Sequence, residues 1–139
     1  MIEIGLVVAA HGSVADALVD AALQVVPDPE AIATVSSFDP QESAAYVERL
    51  NAAVAQARRP RGVLILADMV GGTPAKTGLI LHEPGSIEVV TGLSLPMLIR
   101  ALHLRRRDIS VEVLAREVKT YAERAITVAT DVLSKRTPS

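Results

Sequence analysis

The run "IGLVVAAHG" (4–12) decides the fold. It is short, apolar and closed by a glycine, which is the pattern of a strand buried inside a domain. Its tip is unusual, because a histidine and a glycine, His11 and Gly12, stand where the apolar residues stop. The strand is read over 2–9, and three further stretches of the same character, 32–36, 62–67 and 87–91, are rich in Val and Ile and bounded by Gly, Pro or Asp. They predict three more buried strands.

Helical spacing fills the gaps between them. Val14, Leu18, Ala22 and Val25 recur until Pro27, and Val47, Leu50, Val54 and Ala57 recur until Pro60. Ser13 with Asp16, and Asp39 with Glu42, have the spacing of capping boxes, and Pro40 suits a first helical turn. Ser94, Leu95 and Pro96 open a further helix to about Leu104. One long amphipathic stretch follows, with Val111, Leu114, Val118, Tyr121, Ala125, Ala129 and Val132 on one face. That face is expected to pack on its own sheet or to dock on a second subunit.

Strands alternating with helices predict an α/β fold of three layers: a mostly parallel sheet, order 2-1-3-4 with room for an extra edge strand, and helices on both faces. A chain of 139 residues suits one domain, read over 1–134, with a frayed tail over 135–139. Half the residues are hydrophobic and 22% are charged, as in a globular protein. The net charge of −2 gives no basic field for nucleic acid, and only three aromatic residues, Phe38, Tyr46 and Tyr121, offer faces for bases or sugars. With no cysteine, disulfides and thiolate metal sites are excluded. The start lacks a basic leader, and no apolar run approaches the roughly 20 residues of a membrane span. A cytoplasmic protein without membrane insertion is expected.

In the order 2-1-3-4 the chain leaves strands one and three in opposite directions, and ligands collect at the carboxyl ends of such a pair. The first end carries His11, with Gly12 and Ser13 read as phosphate-binding residues beside it; the third carries "ADMVGGTPAKTG" (67–78), whose first polar residue is Asp68. A carboxylate beside one imidazole nitrogen fixes the tautomer and frees the other nitrogen as a nucleophile or ligand. Helices starting near Ser13 and near Thr73–Pro74 aim unpaired N–H groups into the same crevice. Gly71 and Gly72 allow close backbone approach, and Thr73 adds a hydroxyl donor. A nucleophilic imidazole, an orienting carboxylate and an anion cradle describe a phosphoryl group carried on histidine.

Competing chemistries fit less well. The stretch "VGGTPAKT" (70–77) ends like a P-loop, yet Val70 and Ala75 stand where that pattern needs glycine, and Pro74 removes a donor. For a metal, His11 and Asp68 are two ligands and Asp16 a distant third. Ser13 is read as a cap rather than a nucleophile, and no G-x-S-x-G elbow occurs. His82 and His103 are read as solvated or helix-end residues.

Three ordered segments, "VVAAHG" (7–12), "LADMVGGTP" (66–74) and "VVTGLSLPMLIRAL" (89–102), carry a resemblance to a known family. The chain resembles the IIA component of the mannose family of the bacterial sugar phosphotransferase system, over essentially its whole length. The resemblance implies that His11 accepts a phosphoryl group from the carrier protein HPr, that Asp68 hydrogen-bonds the imidazole, and that a IIB partner takes the group onward. It also implies a homodimer without a small-molecule cofactor. Ala75 and Lys76 stand where the family often has an aromatic or other apolar residue and then Asn. Met69, Val70 and Lys76 are the candidate partner contacts. The reading from a different class is a regulatory module that reports phosphorylation state without sugar transport.

Overall fold

The computed structural model describes residues 1–37, 43–68 and 81–136. Four strands, β1 (Gly5–His11), β2 (Ile32–Ser37), β3 (Val63–Ala67) and β4 (Ile87–Val90), form one sheet in the order β2-β1-β3-β4. Every pairing is parallel. The described helices are α1 (Val14–Val25), α2 (Ser43–Ala57), α3 (Leu95–Leu104), α4 (Val111–Arg124) and α5 (Ala129–Arg136). The fold is α/β, as the alternation of strand and helix predicts, and no fifth strand occurs among the described residues. No described helix is long and apolar enough to cross a membrane.

Strand alternation divides the core. Leu6, Val8, Ala10, Leu64 and Leu66 face one side, in a cluster with buried residues of α1, α3 and α4. Val7, Ala9, Val63 and Ile65 face the other, in a cluster with Tyr46, Leu50, Val54 and Ala57 of α2. Two covered faces explain why β1 and β3 read as unbroken apolar runs. Gly5 marks the tightest contact: a Cβ placed there would lie 1.9 Å from the carbonyl oxygen of Ala57, so α2 sits against the strand backbone itself.

Several local expectations change. The first strand begins at Gly5 rather than at residue 2, although Ile2 and Ile4 are buried beside it. In α1 the buried stripe is Ala15, Val19 and Ala22, one position round from the expected face, and Val14 and Val25 are exposed. The smaller alanines let the helix lie closer to the sheet than the valines would. The Ser13–Asp16 box does not form: Ser13 makes no side-chain cap, and Asp16 accepts instead from the hydroxyl of Thr34 on β2. The Asp39–Glu42 box and Pro40 lie outside the described residues.

The long amphipathic stretch is two helices. Val111, Leu114, Val118 and Ala122 are buried, but Tyr121 is exposed and the helix stops at Arg124, before Ile126 and Val128, which are also exposed. Beyond Ala122 the face has left the sheet, so the apolar periodicity no longer has a core to fill. Caps at Ser94 and Ser110, each accepting from the backbone N–H three residues on, define where α3 and α4 begin.

The amino edge of the sheet is closed by charge. Arg105, fully buried, donates to the carbonyl oxygens of Asp28 at 3.0 Å and Ala31 at 3.2 Å. Arg106 binds the Asp28 carboxylate through both oxygens, at 2.7 and 2.8 Å. This bidentate bond is the main reason the Asp28 carboxyl lies below its ordinary range; burial works against it.

Candidate functional site

His11 is the last residue of β1, and Asp68 is the first after β3. The register pairs Ala9 with Ala67, so the two strands deliver both side chains to the same carboxyl edge. The imidazole Nδ1 lies 2.7 Å from Asp68 Oδ2, and the same oxygen accepts the backbone N–H of His11 at 3.0 Å. One oxygen thereby fixes both the ring and the main chain behind it.

The electrostatics settle the ring's proton. Burial acts to raise the Asp68 pKa, but the hydrogen bonds from the His11 backbone and ring outweigh it and hold the carboxyl below its usual range. An ionised carboxylate only accepts, so Nδ1 must be the donor. In the neutral ring Nε2 then holds the lone pair, and it has no hydrogen-bond partner among the described residues. The His11 side chain is 44% exposed and that of Asp68 19%, so the ring is more open to solvent than its anchor.

The other expected residues divide into two groups. Gly12 adopts φ +55°, a left-handed conformation that turns the chain from β1 into α1, and nothing lies within 4 Å of where its Cβ would be. Its N–H is engaged by the Ser37 carbonyl at 3.0 Å, so it contributes conformation rather than an anion donor. Ser13 is exposed at the N-terminus of α1, and its hydroxyl is free of the capping role expected for it. Met69, Val70, Gly71, Gly72, Thr73 and Lys76, with the helix start near Thr73–Pro74, lie outside the described residues. His82 faces Glu88 at 3.5 Å, and His103 is exposed in the last turn of α3; neither reaches the His11–Asp68 pair.

Two buried polar atoms lack a partner among the described residues in this half of the molecule: Asp68 Oδ1 and the Tyr46 hydroxyl. Sequence reasoning counted Tyr46 only as one of few aromatics. The available signal was its place near the start of α2, a helix that enters from the carboxyl edge of the sheet.

A family described as the PTS (phosphotransferase system) fructose IIA component, EIIA-man, matches residues 5–119. Over 98% of its length the chain is 28% identical to the PTS system mannose-specific EIIAB component of Escherichia coli (strain K12), and it spans 43% of that protein. The mannose/sorbose specific IIA subunit of the phosphotransferase system from Enterococcus faecalis shares 26% identity and a TM-score of 0.78, over 91% of this chain and 94% of that one. The phosphotransferase system component EIIA from Streptococcus agalactiae has the same fold, with a TM-score of 0.82 at 24% identity over 92% of this chain and 98% of that one.

Proposed function

Because the chain belongs to the EIIA-man family of phosphotransferase-system IIA components, we propose that it is a phosphocarrier, with His11 accepting a phosphoryl group from phospho-HPr and passing it to a IIB partner. The observation that carries this reading is the 2.7 Å bond from His11 Nδ1 to Asp68 at the open edge of the sheet. It leaves Nε2 as the nucleophile.

The lone pair of Nε2 attacks phosphorus in line with the donor's P–N bond. That bond breaks, and its electron pair returns to the nitrogen of the donor histidine. The proton on Nδ1 stays in place, and the positive charge that develops on the His11 ring is met by Asp68. The reverse sequence hands the group to the acceptor. Ser13 and the first N–H groups of α1 offer donors to the phosphoryl oxygens, and Gly71, Gly72 and Thr73 complete the cradle. Met69, Val70 and Lys76 meet the partner proteins, and two copies of the chain associate as a homodimer.

The test is incubation with phosphoenolpyruvate, enzyme I and HPr, followed by detection of an acid-labile, base-stable adduct. The wild-type chain is expected to be labelled and His11→Ala to lose the label entirely. Asp68→Ala is expected to be charged about 10- to 100-fold more slowly, the usual loss when the partner that orients a functional histidine is removed. An adduct that persists in His11→Ala rejects the reading. A charged His11 that no IIB component discharges would favour the regulatory role.

A further inference from the structure

Each oxygen of a buried carboxylate normally has a donor, and the exceptions call for an explanation. Asp68 Oδ2 receives two hydrogen bonds, both from His11, while Oδ1 is buried with none among the described residues. Tyr46 is the matching case. It is 1% exposed, and its hydroxyl is buried without a partner among those residues.

The fold brings the two toward each other. Tyr46 stands in the first turns of α2, which follows β2 and therefore starts at the carboxyl edge of the sheet. Helical side chains lean toward the N-terminus of their helix, so the phenol is carried toward that edge. Tyr46 shares a buried cluster with Ala9 and Ile65, and Ala9 is the register partner of Ala67, immediately before Asp68. Alanine at both strand ends leaves room that a larger side chain would fill. Burial, and then the negative charge of Asp68, raise the Tyr46 pKa well above its ordinary value; Arg49, 5.6 Å from the ring centroid, opposes them. The phenol is therefore a neutral hydroxyl within the field of the Asp68 carboxylate.

We propose that Tyr46 is a positioning residue for phosphoryl transfer: its hydroxyl donates to Asp68 Oδ1 through one buried water, which satisfies both orphaned atoms and holds the carboxylate with Oδ2 toward His11. This rests on the carrier reading of His11. Without the second tether the terminal torsion of an aspartate has a broad, two-fold profile, and the carboxylate is free to turn away from the ring. With it, the orientation of the imidazole is set from two residues back.

The test is Tyr46→Phe in the full chain, which keeps the ring and removes the oxygen. The Asp68 carboxyl carbon is titrated by NMR with no donor present, and charging is measured with phosphoenolpyruvate, enzyme I and HPr. Loss of a donor to the carboxylate is expected to raise the Asp68 midpoint by about half a unit or more. Charging, measured well below the variant's unfolding midpoint, is expected to fall about 5-fold, the scale of one hydrogen bond. In an Asp68→Ala background the same substitution is expected to slow charging no further. Fluorotyrosine at this position, a stronger donor, is expected to move the Asp68 midpoint downward. An unmoved Asp68 midpoint, or an equal loss of rate in the Asp68→Ala background, overturns the proposal. A wild-type chain that is never charged would reject the carrier reading, whereas the donor-free titration would still decide the Tyr46–Asp68 bond.

Discussion

At the amino edge of the sheet Asp28 is gripped by two guanidiniums, and at the carboxyl edge Asp68 faces one imidazole. Both carboxyls are held below their ordinary range by hydrogen bonds that outweigh burial. They differ in what lies across from them. Arg105 is sealed in, and its always-charged group can only hold the α1–β2 connection to the end of α3. His11 is 44% exposed, and its ring has a second nitrogen to offer. The same type of acid serves as a closed clamp at one end and, at the other, as an open mount for an imidazole.

The largest effect that would break this contrast lies at the closed edge. Asp28→Ala leaves the fully buried Arg105 without its carboxylate, and it is expected to cost about 3 kcal/mol or more in urea unfolding. Charging of His11 by phospho-HPr is expected to stay at the wild-type level in the same variant, measured well below its unfolding temperature. A variant that keeps full stability would remove the clamp from the comparison.

Acid sharpens it. A carboxyl whose folded pKa is depressed contributes stability that is fully present above its unfolded value and is lost as pH falls through the folded one. Stability is therefore expected to decline below about pH 4, where ordinary carboxyls protonate. Asp28→Asn, being neutral at every pH, is expected to flatten that decline in thermal melts recorded across the acid range. The smallest effect belongs to Asp68→Asn, whose expected loss of stability is about 1 kcal/mol or less, because the site is partly wetted. A much larger loss would make Asp68 a second clamp.

The parallel sheet and its strand order were legible because the apolar runs at β1 and β3 are covered on both faces and leave no polar alternation to misread. The pairing of His11 with Asp68 followed from that order, since both close adjacent strands. Contacts made by long side chains at a distance were not legible. Arg105 sits in a run of three arginines that nothing nearby in the sequence marks as buried, yet it is drawn inward by the carbonyls of Asp28 and Ala31, more than seventy positions earlier in the chain. Ser13 and Asp16 have cap spacing, but Thr34 on the neighbouring strand takes Asp16 away. The break after Arg124 leaves no periodic trace, because Ala125, Ala129 and Val132 continue a stripe whose sheet has already ended.

Fastening the back of the His11 ring with a single oxygen also has a kinetic meaning for a carrier. In the proposed carrier, donor and acceptor would share one doorway to Nε2, so neither could wait beside the other, and turnover would alternate: charge, vacate, discharge. Excess acceptor then acts as a competitor of the donor, and double-reciprocal plots of shuttle velocity run parallel.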